Sequence, residues 1–180
     1  MTRAVFLDRD GVLVEDTGAL VHPSDVRVLP HVVEALISLR SRGWQLVVVS
    51  NQTVVARGLA SEAEVIALQR SIEATLVAAG APAFDDFLFC PHHPHATDPA
   101  YRVACDCRKP RPGLIDRACA RHGIDPRKSV IGPPVGDFNM EDLVEDEQDD
   151  GSAIPPQPGT SPQSTERRDS RRRRPGTAAR

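Results

Sequence analysis

The first apolar run, Ala4 to Leu7, ends abruptly in Asp8, Arg9, Asp10 and Gly11. A continuous apolar run bounded by a polar loop predicts a buried parallel strand. From Pro30 the period changes. Val33, Leu36, Ile37 and Leu39–Arg40 recur at helical spacing, with Pro30 as the start and Gly43 as the stop. Leu46 to Val49 is continuous and β-branched, which predicts a second strand. A loop containing Gly58 follows. Ser61 and Glu64 then have the spacing of a capping box. Behind them Val65, Leu68, Ile72 and Leu76 form one helix face, ended by Gly80. Phe84 to Phe89 predicts a third strand, Pro112 to His122 a helix stopped by Gly123, and Ser129 to Gly132 a fourth strand.

Strands that alternate with helices predict an α/β sandwich around a parallel sheet. Ligands in such folds bind at the carboxyl ends of the strands. Three polar stretches fall there: "DRDG" after the first strand, "SNQ" after the second, and the Cys/His-rich residues 90–110 after the third. From Glu141 the character changes to an acidic run, a Pro-rich run and an Arg-rich run without an apolar period. The expected organisation is a domain over 1–140 and a disordered tail over 141–180. The arginine run could bind nucleic acid or a localisation receptor, but the reading preferred is a solvated tail, since the acidic run beside it can neutralise it.

Composition narrows the function. In 180 residues the formal net charge is -3, which gives no reason to expect a nucleic-acid partner. No apolar run reaches the ~20 residues that span a membrane. "MTRAVFLDRDG" lacks the apolar core of a signal peptide, so a cytoplasmic monomer is expected. Cytosolic thiols are usually reduced, which disfavours a disulfide among Cys90, Cys105 and Cys107.

Asp8 and Asp10 sit two residues apart at a strand end, so their carboxylates can share one side. One can attack while the other carries a proton, and clustered carboxylates also suit Mg²⁺. Alone, "DRDG" reads better as a polar Asp-Gly turn. Its context is more specific. "FLDRDGVL", "VVVSNQ" and "CRKPRPG" resemble, in order, the first three motifs of the haloacid dehalogenase (HAD) superfamily of phosphohydrolases. The similarity covers roughly residues 3 to 132. It is nearest to the D-glycero-D-manno-heptose 1,7-bisphosphate 7-phosphatases, with histidinol-phosphate phosphatases second.

The resemblance implies a HAD-like Rossmannoid three-layer sandwich without a large cap domain, acting on a small phosphorylated sugar. Asp8 would be the nucleophile. Asp10 would protonate the leaving oxygen and later activate water. Ser50 and Asn51 would bind the transferring phosphoryl, Lys109 would neutralise its charge, and Arg108 would help recognise substrate. A lysine acts as a point charge and an arginine as a fork for phosphate. Residues 15–22, including Asp16, and residues 53–59, including Thr53, would line the entrance, with Gln52 also among the substrate contacts. Ala19 stands where the family segment carries an aromatic residue.

Cys90-Pro-His92, twelve residues, then Cys105-Asp-Cys107 is a CxH…CxC set suited to tetrahedral zinc. His93 and His95 compete with His92 as the fourth ligand. The resemblance selects His92, because the heptose-bisphosphate and histidinol-phosphate phosphatases carry this loop with that spacing. Four protein ligands would close the shell and make the zinc structural. Cys119, on the following helix, reads as a small buried hydrophobe.

The resemblance fails at the fourth motif. There a Gly-Asp pair and a second acid four residues on would complete the Mg²⁺ site begun by Asp8 and Asp10. Pro133 follows Gly132, and the next Gly-Asp is Gly136-Asp137, with Glu141 four residues later. Asp137 is the candidate ligand if the motif is displaced. The C-terminal part is degenerate relative to the family, which motivates a second expectation: a frame change or truncation near residues 132–137, leaving a weakly active or non-catalytic protein. The leading expectation is a Mg²⁺- and Zn²⁺-containing phosphatase.

Overall fold

Ala4–Leu7 forms strand β1, fully buried, as its unbroken apolar run requires. The structure is a computed structural model and describes residues 2–132. After β1 the order is helix α1 (Val32–Ser41), β2 (Gln45–Asn51), a short helix α2 (Thr53–Ala56), α3 (Glu62–Ala78), β3 (Asp86–Cys90), α4 (Gly113–His122) and β4 (Val130–Ile131). The sheet is parallel with strand order β3-β2-β1-β4. Phe6 lies opposite Val47 on one side and Ile131 on the other. The chain adds β2 and β3 outward from β1, then returns to lay β4 on its opposite edge. A reversal of this kind opens a crevice at the carboxyl ends of the strands.

Alternation along the strands makes three layers. Val5, Leu7, Leu46 and Val48 pack with Leu36 and Leu39 of α1 and Leu68, Ile72 and Leu76 of α3. The intervening Ala4, Phe6, Val47 and Val49 pack with Leu114 and Ala118 of α4. Each such Leu, Ile or Val contributes about 1.5–3 kcal/mol by leaving water. Helix α3 begins in the expected capping box: Ser61 Oγ accepts from Glu64 N at 3.2 Å, and Glu64 Oε2 accepts from Ser61 N at 2.7 Å.

Several boundaries differ from the sequence expectation. The buried stripe of α1 is Val32, Leu36 and Leu39, and Ile37 is exposed. Strand β2 runs on through Ser50 and Asn51, because β3 pairs with both. Strand β3 starts at Asp86, not Phe84. The Phe84 N–H is taken by the Glu73 carboxylate at 2.9 Å, outside the ladder. Helix α2 occupies part of the stretch read as a loop. Asp137, Glu141 and the tail over 141–180 lie outside the described residues.

Candidate active site and metal loop

Leu7 ends β1, and the next three residues turn back on themselves. Arg9 O accepts from Leu13 N and Val14 N, while Gly11 N donates to Val14 O. Gly11 has φ +76, a left-handed conformation that glycine adopts without strain. The turn leaves Asp8 and Asp10 at the carboxyl edge of the sheet, beside the end of β2. Both line a cavity of about 240 Å³ together with Asp16, Ser50, Asn51, Gln52 and Thr53. Gly18, Ala19, Leu20 and Val54 supply part of its wall, so the 15–22 segment and α2 do border it. Asp16 stabilises its own turn, accepting from Gly18 N at 2.8 Å.

The charges at this edge are matched. Lys109 Nζ lies 2.5 Å from Asp8 Oδ2 and 3.0 Å from Val49 O. Asp8 Oδ1 accepts from Arg9 N at 2.8 Å. Asp10 takes a two-pronged contact from Arg9, Nε to Oδ1 at 2.9 Å and Nη2 to Oδ2 at 3.0 Å. Gln52 Nε2 donates to Asp10 Oδ2 and to Ser50 Oγ, both at 2.9 Å. Asn51 commits its amide to the backbone of Lys109. Its Oδ1 accepts from Lys109 N at 3.0 Å, and its Nδ2 donates to Lys109 O at 3.2 Å. Arg108 donates to His92 O at 3.0 Å.

The second cluster lies at the end of β3. Cys90, His92, Cys105 and Cys107 bring their ligand atoms within 4.8 Å of one another. Cys90 Sγ is 3.1 Å from Cys107 Sγ and 3.7 Å from Cys105 Sγ, and His92 Nδ1 is 3.3 Å from Cys107 Sγ. Zinc–sulfur bonds near 2.3 Å in a tetrahedron place donors about 3.5–3.8 Å apart, so this donor set fits zinc in chemistry and in size. All four cysteines are free thiols. His93 accepts from His95 N through its Nδ1, and neither belongs to the cluster. Cys119 is half-buried against the α4 face of the core.

Burial, then the Cys107 thiol, pushes the Cys90 thiol far above its ordinary value. Burial acts the same way on Cys105, but hydrogen bonds from Cys107 and from the Arg108 backbone outweigh it and hold that thiol low. The loop's carbonyls are tied as well: Arg111 Nη1 donates to Cys105 O at 2.5 Å, and Gly113 N to Asp106 O at 3.1 Å. A Cβ at Gly113 would stand 2.7 Å from Asp106 O, so only glycine lets α4 start this close to the ligand loop.

Thus Asp8, Asp10, Asp16, Ser50, Asn51, Gln52 and Thr53 border one cavity, Lys109 reaches it through Asp8, and Arg108 binds the metal loop. Sequence reasoning missed Arg9. The available signal was a charged residue placed between two aspartates directly after a buried strand.

No family model matches the chain. The D-glycero-beta-D-manno-heptose-1,7-bisphosphate 7-phosphatase of Photorhabdus laumondii is 39% identical over 142 residues, 78% of this chain and 75% of that protein. The enzyme of the same name from Escherichia coli is 36% identical over 140 residues, 78% and 71%. Among solved structures, the D,D-heptose 1,7-bisphosphate phosphatase of B. bronchiseptica, complexed with magnesium and phosphate, is 32% identical with a TM-score of 0.59. The match covers 69% of this chain and 65% of that one. A proposed HAD-like phosphatase of Mesorhizobium loti is 30% identical with a TM-score of 0.67, covering 72% and 62%. The chain therefore spans about three quarters of these curated relatives and under two thirds of these solved structures.

Proposed function

Because the chain belongs to the family of D-glycero-beta-D-manno-heptose-1,7-bisphosphate 7-phosphatases, a HAD-type phosphatase family, we propose that it is a phosphomonoester hydrolase that removes the 7-phosphate of D-glycero-D-manno-heptose 1,7-bisphosphate. The observation that carries the reading is the Lys109–Asp8 pair, 2.5 Å apart at the carboxyl end of β1, where Asp8 borders the cavity. It joins a nucleophile to the cation that its reaction needs.

In the first half-reaction an Asp8 carboxylate oxygen bonds to phosphorus and the bond to the sugar oxygen breaks. Asp10 gives that oxygen a proton. In the second, Asp10 takes a proton from water, whose oxygen displaces Asp8 and releases phosphate. Phosphoryl transfer rests mainly on positioning and charge stabilisation. Lys109 supplies a positive charge where the phosphoryl oxygens crowd. Ser50 accepts from Gln52 at its Oγ, which leaves the hydroxyl proton to donate to a phosphoryl oxygen. Asn51 serves the site by holding Lys109.

The carboxylates of Asp8 and Asp10 are oxygen ligands suited to Mg²⁺, which often binds through one or two carboxylates and the substrate phosphate. When bound, Mg²⁺ would neutralise phosphoryl charge. Cys90, His92, Cys105 and Cys107 would hold Zn²⁺ as a structural ion. We place the protein in the cytoplasm as a monomer, where these thiols stay reduced.

The test is a phosphate-release panel with Mg²⁺, on protein shown to contain zinc. The heptose bisphosphate is expected to give the highest kcat/KM. Preference for histidinol phosphate would overturn the substrate, and no release from any ester would overturn the activity.

A further inference from the structure

Arg9 is 1% exposed, among the largest fully buried side chains of the described residues. Burying a guanidinium is costly unless its charge and donors are matched. Two of its three nitrogens meet the Asp10 carboxylate in a fork, at 2.9 and 3.0 Å. The third, Nη1, is buried and has no hydrogen-bond partner among the described residues. A side chain kept buried at that cost is explained poorly by stability alone. Its paired nitrogens serve Asp10. Gln52, 2% exposed, adds a third donor to the same carboxylate at 2.9 Å and ties it to Ser50.

We propose that Arg9 is a positioning residue for Asp10, with Gln52 as the second support. The inference rests on the reading of Asp10 as the proton carrier. A carboxylate held by a fork and an amide has little freedom to rotate. Asp10 must present a proton to the leaving oxygen, then accept one from water approaching the same phosphorus. Small errors in its direction would slow both steps. An arginine suits this task because its planar fork fixes a carboxylate plane, which a lysine point charge does not.

The test compares Arg9→Lys, Arg9→Met and Gln52→Leu with the natural protein. With an alkyl phosphate, the Arg9 variants are expected to lose about 10–100-fold in kcat, with KM within about threefold. With p-nitrophenyl phosphate, whose leaving group needs little protonation, the first step should survive. A burst of one p-nitrophenol per site should then precede slow turnover. Gln52→Leu should follow the same pattern more weakly. Crystals of Arg9→Lys should show the Asp10 carboxylate turned from its place while Lys109 stays on Asp8. An unchanged kcat, a rise in KM alone, a burst slowed as much as alkyl-phosphate turnover, or an unmoved Asp10 would each overturn the proposal. If Arg9→Met does not fold, the lysine and Gln52 variants decide. If the natural protein releases no phosphate, the proposed activity fails, and the Asp10 position in the Arg9→Lys crystals still decides this inference.

Discussion

Two clusters of reactive side chains stand at the carboxyl ends of nearby strands, and they are held in opposite ways. At the end of β1, each aspartate meets protein donors: Asp8 the Lys109 ammonium and Arg9 N, Asp10 the Arg9 fork and Gln52. At the end of β3, three sulfurs and one imidazole nitrogen face one another. The first cluster is ordered by charges the chain itself supplies. The second gathers donors whose chemistry and spacing suit an ion between them. The chain's own donors therefore hold the two aspartates in place, whereas the thiol cluster suits completion by an ion. Lys109 connects the two, two residues after the ligand Cys107, with its ammonium on Asp8.

The difference is most sharply tested at Asp8, the proposed nucleophile. Asp8→Asn is expected to lower turnover by at least ~10⁴-fold, since the proposed route forms its covalent intermediate on this carboxylate. The Asp8–Lys109 ion pair is about a third exposed and so screened by solvent, and melting should change little. A phosphate-release assay beside a thermal melt checks both. Retained activity would sink the aspartyl-phosphate route.

The next effect in size belongs to the metal loop. Cys107→Ser, or prolonged chelation, should remove zinc and lower both stability and activity. Cys107 is buried in the α4 face of the core, so losing its ion loosens the loop and the start of α4 together. A drop of several degrees in Tm is expected, given about 2–4 °C per kcal/mol for a chain of this size. Turnover should fall about 10–100-fold as Lys109 loses its anchor. Metal analysis, melting and kcat on one sample measure all three. Full activity in zinc-free protein would show that Lys109 is held without the loop.

These two clusters also differ in how far they could be read from the chain. The three cysteine ligands were legible as spacing, because short Cys/His pairs flanking a loop are a local signature, whereas the choice of His92 over His93 and His95 came from the family resemblance. Asp8 and Asp10 were legible because an apolar strand stops dead against them. The parallel sheet followed from alternating periods, and the capping box at Ser61 and Glu64 from two residues. What escaped were partners fixed by tertiary contact. Arg9 looks like any charged loop residue until the turn at Gly11 buries it against Asp10. Gln52 and Asn51 resemble ligand-facing amides, yet their hydrogen bonds go to Asp10, Ser50 and the Lys109 backbone. The start of β3 moved because Glu73, eleven residues earlier on α3, captures the Phe84 N–H. No local pattern carries that information.

Asn51 gives the finest test of the contrast, because it sits in the first cluster and holds the chain that leaves the second. Its amide closes a reciprocal pair with the Lys109 backbone, 58 residues away in sequence. Each such bond contributes about 0.5–1.5 kcal/mol, and breaking both frees the segment between Cys107 and α4. Asn51→Leu should therefore lower kcat by about 5–10-fold and leave zinc content unchanged. The decisive measurement is a double-mutant cycle with Lys109→Met. If Asn51 acts through Lys109, its replacement costs almost nothing further once Lys109 is gone. If the two losses instead add, Asn51 contacts the phosphoryl group directly, and the tether between the two clusters runs through the zinc loop alone.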